Sequence, residues 1–384
     1  MKNLTFCLAF LFFSLTSLAQ SQAVDKEKLL DFYQSQRYAE AAQYLQSIYP
    51  DDTQDVKALT QMAYCNMMAG KLPDAEKNYL KINAIQPNSL PVLFSLANIN
   101  ARRGNKAKTK SYLEEIIKID STNFNAYKQI ADYAEDDSAK LIYLKKANAL
   151  NKVDADVAYE LANQYNRIKL YQPAYDVLEI AIQADTSHLV LQQAQLPIAL
   201  QLNKYKEVVT IGEKLLLSGA NPNVLASVAK AHFFLKNYNK ALASFKIMEQ
   251  SSMQNESILY FMSLCYRELK NYDKATEYAK KTIEEGISGN TPLYYALLGG
   301  ILEERNQNLN AATAYKKGLT FGAYNTLYYR LGILYDFKLN QTKSATNYYS
   351  LYLKSKPDAV KEKEQIDYSK DRITAITTPK AVQK

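Results

Sequence analysis

The stretch "LKNYNKALASF" at 235–245 returns as "LKNYDKATEYA" at 269–279, an interval of 34 residues. A chain that repeats at such a period builds one supersecondary unit many times, and each unit buries its apolar face only against its neighbours. With the Tyr of "LKNY" as a marker, steps of about that length land on Tyr38, Leu72, Lys106, Tyr171, Tyr205, Tyr238 and Tyr272. The interval from 106 to 171 accommodates two units, one with a shortened turn. In such an array the length of 384 residues no longer sets a domain count, because a solenoid is one continuous object of any length.

Other columns move with the marker. Three residues after it stand Ala41, Ala75, Thr109, Ala174, Val208, Ala241 and Ala275. Seven after it stand Leu45, Tyr79, Leu113, Leu178, Gly212, Phe245 and Ala279, and nine before it Leu29, Ala63, Ala97, Ala162, Leu196, Ala229 and Ser263. Spacings of three, four and seven put such residues on one helix face. Each unit therefore reads as two amphipathic helices that approach closely at the small columns. Gly70-Lys71, Gly104-Asn105, Lys236-Asn237 and Lys270-Asn271 mark the turn within a unit, where Gly or Asn suits the left-handed backbone that ends a helix. Pro50, Pro87, Pro222, Pro292 and Pro357 fall between units.

"SLANIN" at 95–100, "ELANQY" at 160–165, "ALLGGIL" at 296–302 and "YRLGILY" at 329–335 resemble the first helix of a tetratricopeptide repeat. "YQPAYDVLEIA" at 171–181 and "YNKALASFKIM" at 238–248 resemble its second helix. The resemblance runs over roughly residues 25 to 357, about ten units of that family's usual length. It implies an all-α, right-handed superhelical solenoid over 20–357. A charged segment at 358–376 then acts as a capping helix, with Val360, Ile366, Ile373 and Ile376 along one side, and 377–384 is a tail. The unit over 189–216, with Pro197 in its first helix and Gly212 in the aromatic column, is a bend, a boundary between two subdomains or a degenerate repeat.

The first 19 residues read as a signal peptide. Lys2 supplies the charge, Leu4 to Leu18 the apolar run and Ser17-Leu18-Ala19 the small residues for cleavage after Ala19. That run is shorter than the roughly 20 residues needed to span a bilayer. An exported protein is expected, periplasmic or secreted, with no transmembrane segment after cleavage. Beyond Cys7 only Cys65 and Cys265 occur; both lie seven residues before a marker, as small buried fillers do, and make no disulfide framework.

Composition is that of an ordinary globular chain, with 22% charged residues and a net charge of +8. That mild excess is no nucleic-acid footprint. Its densest run, "ARRGNKAKTK" at 101–110, is a solvated turn or an anionic docking spot. The two histidines, His188 and His232, offer no paired zinc-site spacing, and neither a phosphate-cradling Gly-rich loop nor a nucleophile elbow is found. A non-enzymatic protein with no cofactor and no metal is expected.

The family resemblance further implies a groove lined by the first helix of each unit. Carried over unit by unit, its residues are Tyr64, Met67 and Met68; Phe94, Asn98 and Arg102; Tyr159, Asn163 and Arg167; Lys230, Phe233 and Phe234; Tyr260, Leu264 and Arg267; Tyr329 and Phe337. Aromatics, Met and Arg suit a surface that binds protein. The family's carboxylate clamp for chaperone C-termini pairs Lys with Asn one turn apart. Here Asn98 and Asn163 are present, but Phe94 and Tyr159 hold the Lys places. The expected role is a scaffold or assembly factor for a protein or peptide of the cell envelope, with an envelope glycan or other anionic polymer as the alternative partner.

The small columns yield a direct test. Ala241→Leu or Ala275→Leu should lower stability by about 1–3 kcal/mol, because bulk is forced between close helices. A urea denaturation midpoint unchanged by either substitution would place the helix contact elsewhere.

Overall fold

The computed structural model describes residues 24–219 and 221–378. The expected signal peptide and the end of the expected tail lie outside them. Among the described residues the chain is ten antiparallel helix pairs followed by a terminal helix. The pairs are Lys26–Gln34 with Tyr38–Ile48, Val56–Met68 with Leu72–Ile85, Leu90–Arg102 with Lys106–Ile119, Phe124–Ile130 with Asp137–Leu150, and Ala155–Arg167 with Tyr171–Ala184. They continue as Leu189–Gln201 with Tyr205–Leu217, Pro222–Phe234 with Tyr238–Gln250, Glu256–Glu268 with Tyr272–Glu285, Thr291–Glu304 with Asn308–Leu319, and Asn325–Ile333 with Thr342–Lys354. Every marker residue read from the repeat is the first residue of a second helix. The long interval from 106 to 171 holds the pair whose first helix is cut to seven residues and continued by a 3-10 turn at Ala131–Tyr133.

Local chemistry starts and stops these helices. Asp25, Asp55, Asn123 and Asn255 each accept first-turn backbone N–H groups through a side-chain oxygen. At the other end of the first helix the chain turns left-handed two residues before the marker, at Gln36, Gly70, Gly104, Lys169, Asn203, Lys236, Lys270, Asn306 and Asn340. The next residue's N–H then reaches back to a carbonyl in the helix's last turn. Lys71 N donates to Asn66 O at 2.8 Å, Asn237 N to His232 O at 2.8 Å and Asn271 N to Tyr266 O at 2.9 Å. This is the 6→1 bond of a Schellman turn. At 236–237 and 270–271 it is the Lys, not the Asn, that takes the left-handed backbone. Asn271 instead opens the second helix, its Oδ1 accepting from Lys274 N at 3.1 Å. A side chain that can cap the next helix is better placed one residue on.

The small column packs as its spacing predicts. Ala41, Ala75, Ala174, Val208, Ala241 and Ala275 are fully buried, and Ala311 and Ala345 extend the column into the last two pairs. Opposite it, Ser263 Oγ donates to Ala275 O across the pair at 2.8 Å. Volume is traded between the facing columns. Where the first helix carries Gly299 the second carries Tyr315, whose ring would lie 2.2 Å from a Cβ at 299; Gly332 makes the same room for Tyr349. Gly332 comes one residue early in its unit because Leu334–Lys338 forms a π-turn, which takes up one extra residue.

The chain divides into two compact units, the first ending at Gln164 and the second beginning at Tyr165. Apolar side chains form the core within each. The pair over 189–216 belongs to the second unit. Helix Leu189–Gln201 is continuous through Pro197. Nor does Gly212 loosen the packing, since Val228 Cγ2 lies 2.3 Å from where its Cβ would be, so the next pair fills the space. The terminal helix is Lys363–Thr377, starting later than residue 358. Val360 lies in the turn before it and is 87% exposed, while Ile373 and Ile376 pack on the core. No helix among the described residues is long and apolar enough to cross a membrane.

The left-handed turn position predicts a gain. Lys270→Gly should stabilise the fold by roughly 0.5–1 kcal/mol, because a side chain at positive φ costs about 1–2 kcal/mol and glycine gives back only part of that as unfolded-state entropy. A higher urea midpoint with unchanged slope is the expected result.

Candidate functional site

Residues between the packing columns of a first helix are left for solvent or a ligand. None of the groove residues expected from the sequence is buried. In the second unit four of them meet in one cluster. Phe233 and Phe234 end helix Pro222–Phe234 with centroids 5.4 Å apart. The ring of Phe261, on helix Glu256–Glu268, lies 5.2 Å from Phe233 and 5.9 Å from Phe234. Tyr205 stacks on Phe234 at 4.8 Å and 13°. Tyr260 sits 5.8 Å from Phe261 and 5.5 Å from Tyr294, so aromatic contacts run across successive first helices. Phe234 stays 45% exposed, while Phe233 and Tyr260 also pack on the core.

Lys230 stands one helical turn before Phe234, its Nζ 5.4 Å from the Phe261 centroid. Burial against these rings lowers the ammonium pKa below its ordinary value. Leu264 packs partly on the core. Arg267 is committed to Glu304, its Nε donating to Oε1 at 2.8 Å. The sequence reading passed over Phe261, Tyr205 and Tyr294. Tyr205 was already the repeat marker of its unit, and the turn that starts the second helix brings that residue beside the end of the following first helix.

Tyr329 and Phe337 have a different environment from the one expected. Tyr329 meets Tyr352 at 5.2 Å and Tyr368 of the terminal helix at 6.3 Å. Arg372 of that helix lies 5.0 Å over the Phe337 ring and donates to Asp336 through Nε at 2.8 Å and Nη2 at 2.9 Å. Tyr368 thus covers Tyr329 as Tyr294 covers Tyr260, because the terminal helix packs where a further first helix would.

In the first unit the expected residues are more dispersed. Tyr64 meets Tyr38 edge-on at 6.0 Å and Tyr33 at 6.3 Å. Arg102 donates to Met67 O at 3.3 Å. Met68, Asn98 and Tyr159 are exposed, and Phe94 and Asn163 are half-buried. Arg167, exposed at the end of its helix, falls in the second unit.

The basic run at 101–110 is largely neutralised. Glu76, almost buried, receives Arg103 and Lys108 together with the Asn100 amide at 3.1 Å. Lys110 pairs with Glu135 at 2.7 Å and Glu114 at 3.8 Å. Burial pushes the Glu76 carboxyl up, but the Asn100 amide and the Lys108 and Arg103 cations outweigh it and hold Glu76 below the usual carboxylate range.

The cysteines are packing residues. Cys65 and Cys265 are free and buried. Burial raises both thiols, Cys265 to about 12, which removes the thiolate needed for reactivity. His188 caps helix Leu189–Gln201 with its ring. His232 is buried with Nε2 3.6 Å from Glu213 Oε1. Its pKa is lowered first by burial and then by Lys240, against the pull of Glu213.

A family model described as the anaphase-promoting complex, cyclosome, subunit 3 matches residues 201–282. A TPR repeat-containing protein of Methanocaldococcus jannaschii is 22% identical over 295 residues, covering 73% of this chain and 47% of its own length. The repeats of this chain are of the tetratricopeptide type. The chain spans about half the length of the curated relative it matches. The solved structure of the human IFIT1 dimer with m7Gppp-AAAA shares its fold, with a TM-score of 0.50 at 13% identity over 92% of this chain and 87% of that one. A tetratricopeptide repeat protein from Parabacteroides merdae matches at a TM-score of 0.33 and 14% identity, over 72% of this chain and 96% of that one.

The buried histidine makes stability depend on pH in one direction. Its folded pKa lies below its unfolded one, so as pH falls through about 6.5 the unfolded chain takes up the proton first and stability drops. His232→Gln should remove that part of the loss, measured as the change in Tm between about pH 7 and pH 5. An equal loss in both proteins would assign it to other groups.

Proposed function

We propose that this protein is a non-enzymatic scaffold or assembly factor of the cell envelope, holding a protein or peptide partner on the first-helix face of its second unit. The aromatic surface from Tyr205 through Phe234, Phe233, Phe261 and Tyr260 to Tyr294 supports this reading most strongly. Aromatic side chains carry large contact area at low entropic cost and are enriched in protein interfaces. Here their ring–ring contacts hold them before any partner arrives, which reduces the ordering penalty on binding. Export rests on the signal-like residues 1–19.

An anionic polymer is less well supported. The densest basic run spends Arg103, Lys108 and Lys110 on Glu76, Glu114 and Glu135. Human IFIT1 is described with a capped RNA, and RNA therefore enters the test as a competitor.

The experiment is a cross-linked pull-down from native envelope fractions. It compares wild type with Phe233→Ala/Phe234→Ala/Tyr260→Ala, after thermal melts show both folded. A defined protein captured by wild type, lost in the variant and retained when RNA is added is the expected result. Identical capture by both would move the binding surface off these rings. Retention of envelope polymer alone would favour the glycan reading.

A further inference from the structure

The cation at the centre of the aromatic surface has no counter-charge. Among the described residues Lys230 has no ion pair, and its Nζ lies over the face of Phe261. Its own helix Pro222–Phe234 contains no acidic residue. The carboxylates of the facing helix Glu256–Glu268 are engaged elsewhere, since Glu268 accepts from the Tyr238 hydroxyl at 3.4 Å and Glu256 lies beside Tyr294. The neighbouring groove cation, Arg267, is neutralised by Glu304. Lys230 is thus a half-buried ammonium over an aromatic floor. It has given up hydration without an anion in exchange, and its lowered pKa reflects that cost.

We infer that Lys230 with Phe234 and Phe261 forms a subsite for an internal Asp or Glu of a partner peptide, whose adjacent large apolar side chain packs on the two rings. The inference rests on the protein-binding reading above and specifies what that face selects. A carboxylate suits the site because one ammonium supplies one positive charge. A phosphate would bring nearly two negative charges to a site built on a single ammonium. The surrounding rings exclude water and so strengthen the ion pair once it forms. An internal side chain is favoured over a chain terminus because no amide-bearing residue stands one turn before Lys230, where Ala226 lies, or one turn after it, where Phe234 lies.

The test is selection from a random linear peptide library on the full chain, with Lys230→Met, Lys230→Arg and Phe234→Ala in parallel. Selected peptides are then synthesised with Asp or Asn at the enriched position, and with a free or an amidated C-terminus. Enrichment of Asp or Glu next to a large apolar residue is expected. So is about a tenfold preference for the Asp peptide over its Asn form, abolished by Lys230→Met and kept by Lys230→Arg. Phe234→Ala should weaken both peptides alike. Peptides selected without an acidic residue, or bound equally by Lys230→Met, overturn the subsite and leave the groove reading intact, the lysine then serving only through its apolar stem. Loss of binding on amidation would assign the anion to a chain terminus and also overturn it. Failure to select any peptide would overturn both readings.

Discussion

The structure depends on the close approach of two helices at one column of small residues. Ala41, Ala75, Ala174, Ala241, Ala275, Ala311 and Ala345 are all fully buried there. Ala lets the backbones come together, and the larger columns on either side then fill the remaining volume. Gly299 with Tyr315 and Gly332 with Tyr349 show the same rule with the bulk moved across the contact. What is conserved from unit to unit is total volume between helices rather than any one residue.

The second recurring constraint is the turn. Nine units place a left-handed residue two positions before the second helix, and only two of these are glycine. The Schellman bond that the turn completes, together with the packing on both sides, holds Lys169, Lys236 or Lys270 in a backbone conformation each would otherwise avoid. Reversal of the chain at a constant column then puts every first helix in the same position within its pair. That regularity brings Phe234, Phe261 and Tyr294, from three successive pairs, into one run of ring contacts.

Charge is handled locally. Glu76 gathers Arg103 and Lys108, Asp336 gathers Arg372 and the Tyr349 hydroxyl, and Glu304 holds Arg267. The result is a modestly basic chain in which three of the five cations in the most conspicuous basic run are paired with nearby carboxylates, while the lysine in the aromatic cluster is not.

The repeat, the start of each second helix and the buried small column follow from the sequence alone, because a fixed period forces the same contact in every unit. The groove residues were partly legible for the same reason. Lys230, Phe233, Phe234 and Tyr260 share a face dictated by helical spacing, and the structure joins them. Local pattern does not say what a residue meets across the next helix. Tyr329 and Phe337 occupy groove positions by spacing, yet the terminal helix engages both, and that depends on where a chain segment some forty residues on returns to pack. The same holds for the basic run, whose partner Glu76 belongs to the preceding pair. Period and spacing are properties of a linear chain; the pairing of charges and the covering of rings are decided only when distant helices come into contact.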